Sequence, residues 1–125
     1  MILDTNALSA FFDGDRQLRQ VIAGASELCL PVIVLGEYRF GLMHSRQRTK
    51  IEPALAAFAE ASRVLVVDAD TVQPYAEICS ELKRIGKPLP SNDIWIAALA
   101  RQHSLPIVSR DTHFDHLPAI KRLAW

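Results

Sequence analysis

Short apolar runs alternate along the chain with longer stretches of helical periodicity. Met1-Ile2-Leu3 reads as a short strand, stopped by the polar Asp4-Thr5-Asn6. Thr5 or Asn6 is placed to cap a helix over Ala7 to Phe12. Asp13-Gly14-Asp15 breaks that helix, and a second runs from Arg16 to Ala23 with Leu18, Val21 and Ile22 on one face and Gly24 as its stop. Leu28 to Leu30 is a second brief strand, ended by Pro31. Val34 to Ser45 reads as a helix, although Val32-Ile33-Val34 alone suits a strand equally well. Arg48 to Ala61 is a long helix with Pro53 near its first turn. Val64-Leu65-Val66-Val67 is a β-branched run bounded by Asp68, the pattern of a buried strand. Asp70 or Thr71 caps a helix reaching Arg84, and Gly86-Lys87-Pro88-Leu89-Pro90 is a loop. Ser91-Asn92 caps a nearly all-apolar helix over Ile94 to Ala100. Pro106 to Ser109 is a strand, Thr112 to Leu117 a helical turn, and Arg122-Leu123-Ala124 an edge strand.

Strands alternating with helices predict an α/β fold: a mainly parallel central sheet covered on both faces, a three-layer sandwich. The length of 125 residues suits one domain, 1–125, with a substantial core. Half the residues are hydrophobic, which excludes a disordered chain. No apolar run reaches the roughly 20 residues of a membrane span, and no basic segment precedes the first apolar run. A cytoplasmic protein is expected. Fourteen basic residues balance fourteen acidic ones, evenly between the two halves, so any nucleic-acid contact must come from a local site rather than bulk charge. Cys29 and Cys79 are too few for a disulfide scaffold or a cysteine zinc site and read as two buried thiols.

Four carboxylates stand out by position. Asp4 follows one buried strand and Asp111 follows another, where open parallel sheets bind ligands. Asp93 lies in the first turn of an apolar helix, and Glu37 lies inside Val34-Leu35-Gly36-Glu37-Tyr38-Arg39-Phe40. Taken singly, each has a plain structural use as a strand stop, cap, helix-dipole partner or ion-pair partner of an arginine. Together they sit on elements that converge at one sheet edge. Four carboxylates in one pocket repel one another and call for cations. Oxygen donors suit Mg²⁺ or Mn²⁺, and such a site suggests phosphoryl chemistry. A glycine-rich phosphate loop, a second Asp after Asp4-Thr5 and a G-x-S-x-G elbow are all absent. His44, His103, His113 and His116 lack metal-ligand spacing.

In this order, Met1-Ile2-Leu3-Asp4-Thr5-Asn6, Leu35-Gly36-Glu37-Tyr38, Asn92-Asp93-Ile94-Trp95-Ile96-Ala97-Ala98 and Ser109-Arg110-Asp111-Thr112-His113-Phe114 resemble the successive motifs of PIN-domain ribonucleases. The resemblance is closest to the VapC toxins of type II toxin–antitoxin systems and spans essentially the whole chain. It implies an endoribonuclease dependent on Mg²⁺ or Mn²⁺ that leaves a 5′-phosphate and a 3′-hydroxyl. It also implies a homodimer inhibited by a cognate antitoxin. Carried over by position, Asp4, Glu37, Asp93 and Asp111 are the acidic quartet, supported by Thr5, Asn6, Asn92 and Ser109. In some relatives the last acid comes a few residues later, where Asp115 stands here; Asp111 is preferred because Asp115 falls on the exposed side of a turn. Arg39, Arg46, Arg48 and Lys50, and Lys83, Arg84 and Lys87, form two basic stretches able to contact RNA phosphates. Two other readings share these residues: a catalytically silent PIN-fold binding module, and a metal-dependent phosphatase or DNA nuclease.

Overall fold

The computed structural model describes residues 1–125. Five strands form one parallel sheet: β1 (Ile2–Leu3), β2 (Cys29–Pro31), β3 (Arg63–Leu65), β4 (Ile107–Val108) and β5 (Arg122–Leu123). Their spatial order is β3-β2-β1-β4-β5. The chain therefore steps outward from β1 to β3, returns, and continues on the other side of β1. That reversal leaves a switch point between β1 and β4, where strand ends diverge and a crevice opens. Ile2 pairs with both Cys29 and Ile107, and Leu3 with Val108. All five of these residues are completely buried.

Six helices flank the sheet: α1 (Thr5–Phe12), α2 (Arg16–Ala23), α3 (Val32–Leu42), α4 (Arg48–Glu60), α5 (Val72–Ile85) and α6 (Ser91–His103). α1 packs on α2 and α3, and α5 packs on α6. Rings join the helices into two groups. Phe11 lies 4.4 Å from Phe58, and Phe12 stacks on Tyr38 at 5.5 Å, fixing α1 against α3 and α4. Tyr75 stacks on Trp95 at 3.8 Å, fixing α5 against α6. Ile96 to Ala100 are five consecutive buried residues, so α6 is wrapped on all sides and its apolar composition is accounted for by the core.

The α/β expectation holds, while several local expectations change. Asp4 itself, rather than Thr5 or Asn6, caps α1: its Oδ1 accepts from the Ala7 N–H at 2.7 Å. α3 begins at Val32, directly off β2, so the β-branched run there is helical. α6 begins at Ser91 behind Pro90 and has no side-chain cap, so Ser91 and Asn92 lie in its first turn. Asp68, not Asp70 or Thr71, caps the turn that precedes α5, in a reciprocal pair with Thr71. β3 is shorter than its β-branched run and lies at the sheet edge. Of Val64 to Val67 only Leu65 is buried. Cys29 is buried as expected, whereas Cys79 is half-buried. Gly86 ends α5 in the left-handed conformation that glycine adopts without steric cost.

Candidate functional site

The switch point places Asp4 and Ser109 side by side. Each is the residue following a two-residue strand, and the two strands are neighbours. Ser109 donates a short hydrogen bond to Asp4 Oδ2, and both side chains are buried. The same Ser109 Oγ accepts from the Asp111 N–H at 2.9 Å, which turns the chain so that Asp111 stands beside Asp4. Burial pushes the Asp4 carboxyl above the usual carboxylate range. Hydrogen bonds from Ser109 and the Ala7 N–H oppose the rise, and the Asp111 charge adds to it.

Glu37 arrives from α3 and is bound from two elements. Thr5 at the start of α1 donates a short hydrogen bond to Oε2, and Asn92 on α6 donates to Oε1 at 2.8 Å. No arginine pairs with it, so the ion-pair use of this residue does not apply. The Phe12–Tyr38 stack holds α1 and α3 together one residue from this bond. Asp93, next to Asn92, is pushed up to about 6. Burial is the main cause, followed by the charges of Asp111, Glu37 and Asp4. Of the quartet, only Asp111 has a titratable base against it: His113 Nδ1 lies 2.6 Å from Asp111 Oδ1. Asp111 also caps the short turn Thr112–His116 by accepting from the His113 N–H. The plain uses of Asp4 and Asp111 as caps are thus real, and they coexist with membership of the cluster.

Asp115 is engaged by an arginine instead. Arg122 grips both of its oxygens at 2.8 Å and holds its carboxyl below the usual range. Asn6 lines the crevice with Ser9, Asp13, Arg110 and Asp111. The seven candidate RNA-binding cations are all exposed and none bonds to the quartet. Arg48 is paired with Glu52 at 2.9 Å, and Lys83 and Lys87 border a separate, largely apolar hollow with Leu82 and Leu89. Arg110, between Ser109 and Asp111, also enters the wall of the crevice, a placement the motif around it does not signal.

No three acidic, histidine or cysteine side chains stand as an assembled metal-binding group. The chemistry of the donor set nevertheless suits a hard divalent ion: it is all oxygen, and its one ion-pair partner is His113 against Asp111. Asp93 and Asp4 are both raised, chiefly by burial, with carboxylate neighbours adding to the rise.

Comparison with known proteins places the chain in a family. Residues 1–120 match the PIN domain family. The chain is 31% identical to a VapC ribonuclease of Sinorhizobium fredii, over 90% of this chain and 87% of that protein. It is 32% identical to Toxin FitB of Neisseria gonorrhoeae, over 90% and 88%. The DNA-bound VapBC structure from Salmonella typhimurium aligns with a TM-score of 0.87 at 25% identity, covering 99% of this chain and 96% of that one. VapBC2 from Rickettsia felis, bound to a promoter DNA fragment, shares the fold at a TM-score of 0.86 and 22% identity, covering 99% and 97%. The β3-β2-β1-β4-β5 sheet, the acids at its switch point and these relatives lead to one assignment: the chain belongs to the PIN-domain family, with the VapC ribonucleases among its relatives.

Proposed function

We propose that residues 1–125 form one PIN domain acting as a metal-dependent endoribonuclease, the toxin of a VapBC-type toxin–antitoxin pair. The observation that supports this most is Asp93: a half-buried carboxyl raised to about 6 by burial and by three carboxylate neighbours, a rise that His113 only partly offsets. The choice of RNA rests on the relatives, three of which are named VapC ribonucleases. The partners inferred are an RNA substrate, a cognate antitoxin and a second copy of the chain. No helix is long and apolar enough to cross a membrane.

Asp4, Asp93 and Asp111 would hold Mg²⁺ or Mn²⁺ directly or through water, with Glu37 either joining them or orienting the attacking water. When bound, the ion supplies Lewis-acid polarisation of the phosphodiester and charge for the departing oxygen. The chain's own residues supply position. Ser109 and the start of α1 fix the two oxygens of Asp4. Thr5 and Asn92 fix Glu37 with both oxygens already hydrogen-bonded, so its carboxylate cannot swing freely. Water is the nucleophile, and the product ends are a 5′-phosphate and a 3′-hydroxyl.

The test is cleavage of a labelled total-RNA pool with Mg²⁺ or Mn²⁺ against EDTA, beside Asp4→Asn. Asparagine keeps the Oδ1 acceptor that caps α1, so this variant should fold while losing a charged ligand. Discrete products that require metal and vanish in Asp4→Asn are expected. Absence of cleavage by folded, antitoxin-free protein with either metal would favour a binding module built on the same fold.

A further inference from the structure

The crevice extends along α1 in two directions from the acids. Toward α3 and α4 it is lined by Ser9, Asp13, Glu37, Tyr38 and Gln47, with no basic residue. Toward the end of β4 it is lined by Asn6, Ser9, Asp13 and Asp111, and one cation enters it, Arg110.

Arg110 is clamped. Its Nη2 lies 2.7 Å from Asp15 Oδ2, and its guanidinium carbon sits 4.6 Å from the centre of the Trp125 ring system. Trp125 Nε1 donates to the same Asp15 oxygen at 3.2 Å, closing a triangle among the three side chains. The other Asp15 oxygen is committed to capping α2, accepting from the N–H groups of Gln17 and Leu18. Asp15 is therefore fixed by the backbone, Trp125 is fixed by Asp15, and the guanidinium is fixed by both. Arg110 still leaves 54% of its side chain exposed, and only Nη2 is bonded. A guanidinium carries five N–H donors in a planar fork suited to phosphate oxygens. Here the fork is stacked on one face and tethered at one corner, with its remaining donors open. An exposed ion pair adds little to stability, so stability alone is a poor reason for such a clamp. A pre-ordered donor, by contrast, loses less entropy when a ligand binds.

We propose that Arg110 is an RNA-binding residue that grips a backbone phosphate next to the one cleaved, and that Asp15 and Trp125 are its positioning residues. This rests on the ribonuclease reading above. In a crevice lined also by Asn6, Ser9, Asp13 and Asp111, Arg110 is the one fixed positive point, beside Asp111. It sets which part of the strand lies over the carboxylates, and so contributes to binding rather than to the bond-breaking step.

The experiment measures binding of fluorescein-labelled oligouridylate to the full chain across a salt series, together with cleavage of total RNA. Arg110→Ala should weaken binding about tenfold, the loss of one charge-assisted contact. It should also reduce the slope of log affinity against log salt by about 0.7, the value for one single-stranded phosphate. In cleavage, KM should rise and kcat should stay within about threefold. Trp125→Ala keeps the charge but frees it, so affinity should fall with the salt slope unchanged, and Trp125→Phe should restore affinity by restoring a stacking face. A purely structural clamp would lower the melting temperature of these variants and move neither affinity nor slope. Arg110→Gln, which retains polar bulk, separates the contact from folding if Arg110→Ala is unstable. Wild-type affinity and slope in folded Arg110→Ala or Arg110→Gln would overturn the proposal. Failure of the wild-type protein to bind or cleave RNA would instead overturn the ribonuclease reading.

Discussion

Two groups of carboxylates in this protein are treated in opposite ways. On the α5–α6 surface, Glu81 meets Arg101 through two bonds of 2.8 and 2.9 Å, with Glu77 nearby at 3.7 Å. The Arg101 hydrogen bonds hold the Glu81 carboxyl below its usual range. Beside the Ser109 carbonyl, to which it also donates, Arg122 does the same for Asp115. At the switch point, Asp93 has three carboxylate neighbours and no arginine, and is pushed the other way, to about 6. Asp93 and Asp115 are the same residue type, and both lie near a helical start. What separates them is whether the fold delivers a counter-charge. Where it does, the acid serves structure and surface. Where it withholds one, the site is left able to take a cation from solution.

The sharpest way to break this contrast is to remove charge at the switch point. Asp93→Asn should lower metal-dependent RNA cleavage by more than about a hundredfold, since a ligand should matter more than its supporting groups. The supporting groups come next. Asn92→Ala or Thr5→Val frees one oxygen of Glu37 and should cost about ten- to a hundredfold in cleavage rate, read on the same RNA.

The third effect is on stability, and its sign is distinctive. The Asp93 pKa is about 6 in the folded protein against an ordinary 3.8. Between roughly these values the folded state holds a proton that the unfolded chain has released. Metal-free protein should therefore lose stability as pH rises from about 4 to about 7, and the elevated Asp4 adds to the same trend. Asp93→Asn should remove much of that decline and stabilise the metal-free protein at neutral pH, by on the order of 2 kcal/mol after allowance for solvent screening. Denaturant titration in EDTA across the pH range reads this directly. Unchanged or lower stability in Asp93→Asn would mean that the site is not electrostatically strained.

Glu81→Gln should do the reverse, destabilising by about 1 kcal/mol with cleavage unaffected, because a two-bond ion pair to a largely buried arginine is lost. The smallest effect belongs to Asp115→Asn, which should leave cleavage within about threefold and thereby separate Asp115 from Asp111.

Much of the site was legible in the sequence because strand ends are legible. Asp4 and Asp111 each follow a run too apolar to be anything but a buried strand, and strand ends of a parallel sheet gather at one edge. Their caps were harder to assign. Asp4 sits one residue outside the helical pattern, and either of its polar neighbours could have taken the role. The Glu37–Asn92 contact could not be read, because it depends on how α3 and α6 approach one another across a 55-residue separation. Asn92 was expected to cap α6; Pro90 starts the helix earlier and frees the amide to hold Glu37. Val64 to Val67 resembled a buried strand because composition does not distinguish a central strand from an edge. The Arg110 clamp was invisible for the same reason as Asn92: Asp15 and Trp125 lie 95 residues or more from their partners Arg110 and Asp15 along the chain.

The central claim is that the Asp93 region carries negative charge awaiting a cation. It is tested most directly by following the Asp93 side-chain carboxyl by ¹³C NMR through a pH titration, first in EDTA and then with Mg²⁺. A midpoint near 6 in EDTA that falls toward the ordinary carboxylate range with Mg²⁺ is the predicted result. An ordinary midpoint in EDTA, or an elevated one that Mg²⁺ at millimolar excess leaves unmoved, would contradict the account.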